Sequence, residues 1–78
     1  MHLLIAKVDE TLLSGDVYSV TLPTTGGELA ILGGHMPLAT TLKEGVIRVR
    51  MERDSAYVEF AVTKGVLEVS KEGATVLL

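Results

Sequence analysis

The chain has no cysteine and no tryptophan, and among its 78 residues only Tyr18, Tyr57 and Phe60 are aromatic. Without cysteine there is neither a disulfide framework nor a thiolate metal site, which fits a reducing compartment such as the cytoplasm. Scarce aromatics make a carbohydrate-stacking surface improbable and leave the core to Val, Leu, Ile and Ala. Basic residues are also few: seven Lys and Arg against ten Asp and Glu, a net charge of −3. Binding to nucleic-acid phosphates needs a basic footprint, so no nucleic-acid partner is expected. No apolar run is long enough to span a bilayer. The apolar start, Met1-His2-Leu3-Leu4-Ile5-Ala6, has no basic lead-in and is broken at Lys7 and Asp9, so it reads as neither signal peptide nor membrane insertion.

What is present is aliphatic. Apolar residues make up 47% of the chain and charged residues 22%, far from the signature of disorder. One domain spanning residues 1–78 is expected, burying only about 60–65% of the surface its unfolded chain exposes. A core so small, built from so aliphatic a sequence, leaves apolar surface over, and such surface usually marks a partner site.

Short β-branched runs alternate with glycine or charged turns every eight to twelve residues or so, the spacing of a sandwich or barrel. Strands are predicted at residues 3–8, 16–22, 28–32, 38–42, 46–51, 56–62, 66–70 and 74–78, with no helix. Side chains two apart share a strand face. Ile47, Val49 and Met51 therefore oppose Arg48 and Arg50; Val58, Phe60 and Val62 oppose Tyr57, Glu59 and Ala61; Leu67 and Val69 oppose Glu68 and Ser70. These strands are expected to be half-buried. Glu28-Leu29-Ala30-Ile31-Leu32 is apolar on both faces after its first residue. It is either buried on both sides or covered by a partner.

The chemistry-bearing residues form no reactive pattern. No serine sits in a Gly-x-Ser-x-Gly elbow, and Gly26, Gly27, Gly33 and Gly34 match neither phosphate-cradling spacing. His2 and His35 lie far apart with no cysteine to join them, and the carboxylates are dispersed singly. No enzyme activity, metal or cofactor is expected. A non-catalytic interaction protein and a free-standing ligand- or protein-binding module both remain open on these grounds.

One segment is unusual: Gly27-Glu28-Leu29-Ala30-Ile31-Leu32-Gly33-Gly34-His35-Met36-Pro37-Leu38. It resembles the Gly-Glu-Leu-Gly-Ile-Leu-Pro-Gly-His-x-Pro-Leu signature of the epsilon subunit of F-type ATP synthases. Upstream, Ser14-Gly15-Asp16-Val17-Tyr18-Ser19-Val20-Thr21-Leu22-Pro23 is similar to that family's Ser-Gly-x-Val-x-x-Val-x-Leu-Pro stretch. Downstream, Thr41-Leu42-Lys43-Glu44-Gly45-Val46 and Gly65-Val66-Leu67-Glu68-Val69 resemble two further family stretches in the same order. The resemblance covers almost the whole chain.

The resemblance implies an all-β, flattened sandwich of about ten short, mostly antiparallel strands at the foot of the central stalk. Its partners would be the gamma subunit and the ring of membrane c subunits, and its role the coupling of proton flow to ATP synthesis without catalysis of its own. It also implies a place in the cytoplasm, peripheral to the energy-transducing membrane. Contact with the c ring falls on Glu28, Leu29, Ile31, Leu32 and His35, with Gly33, Gly34 and Pro37 shaping the loop. Ala30 and Gly33 depart from the family's usual glycine and proline. Many members continue into a C-terminal helical hairpin that binds ATP. Here the sequence ends at Leu78, either as a naturally short form or as part of a longer one, and tight ATP binding is not expected of these residues.

Overall fold

The computed structural model describes residues 1–33 and 37–78. Among them are nine strands: β1 (His2–Lys7), β2 (Glu10–Asp16), β3 (Ser19–Thr24), β4 (Gly27–Leu32), β5 (Leu38–Leu42), β6 (Gly45–Arg50), β7 (Tyr57–Val62), β8 (Gly65–Ser70) and β9 (Gly73–Leu77). All described elements are strands, as the punctuated aliphatic pattern predicts.

The strands form one hydrogen-bonded path, β2-β1-β9-β8-β5-β3-β6-β7, with β4 on the other edge of β3. The path folds over at its narrowest point, the single β3–β5 pair Thr24 with Leu42. The result is two packed layers, β2-β1-β9-β8-β5 and β4-β3-β6-β7. Every strand pair is antiparallel except β1 with β9. Between the layers the inward side chains meet: Leu3, Ile5, Leu67, Val69, Ala74 and Val76 from one, and Val20, Leu22, Ile31, Ile47, Val49 and Val62 from the other. Excluding these aliphatic groups from water is the main force holding the layers together.

The seam is tied by polar groups as well. Thr25 donates its N–H to the Thr41 carbonyl at 3.0 Å, and Lys43 donates to the Pro23 carbonyl at 2.9 Å. The buried Thr24 hydroxyl donates to the Gly27 carbonyl, closing the β3–β4 turn. A buried hydroxyl without such a partner would be costly.

Three expectations need correction. Residues 10–16 form a strand that the pattern does not show, because the β1–β2 register slips between Ile5 and Ala6. Leu12 is the extra residue of this bulge, so Leu12 and Leu13 both pack on the core and the period of two is lost. Residues 16–22 are not a single strand. The Val17 N–H still bonds the Met1 carbonyl at 2.8 Å while the Tyr18 N–H bonds the Arg50 carbonyl at 2.8 Å, so the chain bends at Tyr18 as it passes from one layer to the other. Finally, β7 lies at an outer edge. Tyr57, Val58 and Glu59 are all exposed there, only Phe60 and Val62 turn into the core, and Met51 is exposed in the turn after β6.

Candidate partner-contact site

Strand β4 carries most of the predicted contact residues. Its pairing with β3, from Ser19 opposite Leu32 to Thr24 opposite Gly27, fixes which way each side chain points. Glu28, Ala30 and Leu32 face outward and are exposed, while Leu29 is half-buried against the core. Ile31 is 0% exposed. As a core residue it holds the strand in place and cannot touch a partner, which corrects its place among the contacts. The doubly apolar strand is therefore not buried on both faces: its outer face is open, and Leu32 is 46% exposed.

The strand also separates residues that were grouped together. Glu28 sits beside the Thr25–Gly26 turn, and Leu32 and Gly33 lie at the opposite end of β4, about 13 Å away at the usual rise per residue. The candidate surface is the length of an edge strand rather than one loop. Gly34 and His35 lie outside the described residues. Pro37 is exposed just before β5, and a side chain at Gly33 would meet nothing within 4 Å. The Ala30 methyl points outward, so its replacement of a glycine does not disturb the core.

Beside Glu28 runs a line of charge. The Arg48 guanidinium of β6 lies 3.6 Å from the Glu28 carboxylate and 3.4 Å from that of Glu59 on β7. One row further along the sheet, the Arg50 guanidinium lies 4.4 Å over the Tyr57 ring. Neither grouping is visible in the sequence, because each depends on which strands are neighbours.

A second surface lies on the outer face of the other layer. Thr41, Val66, Leu77 and Ala6 stand side by side across β5, β8, β9 and β1. Val66 is 48% and Leu77 54% exposed, and Leu4 lies two pairs along from Ala6 on the same face. This apolar row was missed, although adjacent apolar residues at Val66-Leu67 and Val76-Leu77 were a signal that both faces of those strands carry hydrophobes. Among the described residues no three His, Cys, Asp or Glu side chains are grouped to hold a metal.

Residues 1–78 match the model of the ATP synthase delta/epsilon chain β-sandwich domain. The chain belongs to that family. Among its curated relatives, the ATP synthase epsilon chain of Acinetobacter baylyi is 42% identical over 73 residues, 94% of this chain and 52% of the relative. That of Trichodesmium erythraeum is 40% identical over 70 residues, covering 90% of this chain and 50% of the relative. The chloroplastic epsilon chain of Guillardia theta is 36% identical over 78 residues, all of this chain and 58% of the relative. The chain thus spans about half the length of the curated relatives it matches. A chain in the Euglena gracilis mitochondrial ATP synthase structure, which comprises OSCP, F1 and c-ring, superposes with a TM-score of 0.87 at 25% identity, over 96% of this chain and 48% of that one. One from the central stalk and c-ring of Tetrahymena thermophila ATP synthase superposes at 0.81 with 16% identity, over 97% of this chain and 60% of that one, a likeness of fold.

Proposed function

We propose that this epsilon-type β-sandwich is a non-catalytic part of the rotor of an F-type ATP synthase, joining the gamma subunit to the c ring and coupling proton flow to ATP synthesis. The observation that carries the reading is the family match over residues 1–78. In this reading the domain reaches the energy-transducing membrane only through its partners.

Two exposed surfaces on different sides of the domain suit a reading with two partners. The Val66, Leu77 and Ala6 row on the β1-β9-β8-β5 face is apolar, with Glu68 the charge in the next row, and it suits a permanent partner whose burial of that row adds hydrophobic stabilisation. Gamma is assigned to this face. In this reading the outward residues of β4, Glu28, Ala30 and Leu32, meet the c ring. Two contacts on different sides of one rigid sandwich transmit torque without any moving part inside the domain.

Mass action supplies the test. A partner that binds only the folded domain stabilises it by about 2.7 kcal/mol at one hundred times its Kd, a rise in melting temperature of roughly 10–20 °C for a domain of this size. Titration with gamma subunit should give that rise, and Leu77→Asp should abolish it. An unchanged melting temperature at saturating gamma would refute the assignment.

A further inference from the structure

The arrangement around Arg48 goes beyond a surface salt bridge, because one guanidinium serves two carboxylates from strands on opposite sides of it. Glu28 lies on β4 and Glu59 on β7, and β3 runs between β4 and β6. Two strand spacings separate β4 from β6, about 9–10 Å, a gap that a side chain of arginine's length can cross. It crosses over Thr21 and Pro23, the short outward side chains of β3. Glu59 is the direct cross-strand neighbour of Arg48, whereas Glu28 is reached only over β3 and is the more exposed of the two, at 69% against 58%.

We infer that Arg48 and Glu59 are positioning residues for an ion-pair exchange at Glu28. The inference rests on the assignment of Glu28 to the ring contact. When the Glu28 carboxylate turns to a cationic group on the partner, Arg48 keeps Glu59, so the exchange leaves no unpaired cation at the interface. Glu59 therefore lowers the cost of releasing Glu28 without touching the partner. Without Glu59, Glu28 becomes the sole carboxylate of Arg48 and is harder to withdraw.

The test is a double-mutant cycle on the chain assembled with gamma and the c ring, with ring attachment read from the dissociation constant at low and high salt. Glu59→Gln is expected to weaken attachment about two- to fourfold at low salt, as for an exposed charge pair. The effect should shrink at high salt and vanish in an Arg48→Gln background. No effect in either background, or an equal effect in both, would overturn the exchange, the second by showing that Glu59 acts directly. Glu28→Gln separates the two levels. If it leaves attachment unchanged, the ring assignment itself falls; if it weakens attachment while the cycle is additive, only the exchange falls. Unchanged melting of all variants excludes a loss of fold.

Discussion

Gly73 opens β9 in a conformation that L side chains rarely adopt, with φ of +148°, and a Cβ placed there would stand 2.1 Å from the His2 carbonyl oxygen. That oxygen belongs to β1, the parallel neighbour of β9. Gly73→Ala must therefore keep a strained backbone, at about 1–3 kcal/mol, and also push β1 away, weakening one or two ladder hydrogen bonds worth about 1 kcal/mol each. Reduced freedom of the unfolded chain returns about 0.4–1 kcal/mol. The net loss is then about 2–4 kcal/mol, against a total stability of roughly 4–12 kcal/mol for a domain this small. Thermal unfolding followed by circular dichroism should show a melting temperature lower by roughly 10–25 °C. Gly33→Ala is the control, since nothing lies within 4 Å of its would-be Cβ and its φ is not positive; it should change stability by less than about 0.5 kcal/mol. If Gly73→Ala melts within a few degrees of the parent, the close approach of β9 to β1 does not constrain this position.

Further outcomes are expected. Leu67→Ala removes a fully buried side chain from the centre of the core and should cost about 2–5 kcal/mol in urea unfolding. Thr24→Val leaves the Gly27 carbonyl without its hydroxyl donor at the seam, a loss of about 1–3 kcal/mol by the same assay. Arg48→Gln breaks only exposed ion pairs and should shift stability by less than about 1 kcal/mol, with no change at high salt. In reconstituted vesicles Glu28→Lys should lower proton pumping while leaving gamma affinity intact; normal pumping would remove Glu28 from the ring contact.

Legibility followed local periodicity. Strands with one wet face, such as β6 with Ile47 and Val49 inward and Arg48 and Arg50 outward, could be read from alternation alone. Strand β2 could not, because the bulge at Leu12 puts two neighbouring leucines on one side. The direction of β4 was ambiguous for the same kind of reason: an apolar strand with an uncovered outer face carries the same sequence as one buried twice. At the candidate site, Glu28 and Leu32 stood out through their motif, whereas the separation between them, the core position of Ile31 and the reach of Arg48 over β3 depend on long-range pairing that no local pattern encodes.

The parallel pairing of β1 with β9 also bears on how the chain is made. His2 pairs with Gly73, a separation of 71 residues (73 − 2), so within this sandwich β1 emerges well before the strand it pairs with in parallel. The layer formed by β4, β3, β6 and β7 draws only on residues 19–62 and can assemble while the ribosome is still adding β8 and β9. Until residue 77 emerges, β1 has only β2 beside it, and the inward side chains Leu3 and Ile5 lack the Val76 and Ala74 neighbours that complete their side of the core. Closing a loop of that length costs roughly 4 kcal/mol of chain entropy, and the cost is recovered only when β9 docks. Folding of the whole sandwich is thus deferred to the end of translation of this segment, and a nascent chain stopped short of β9 presents an unfinished sheet to whatever chaperone attends it.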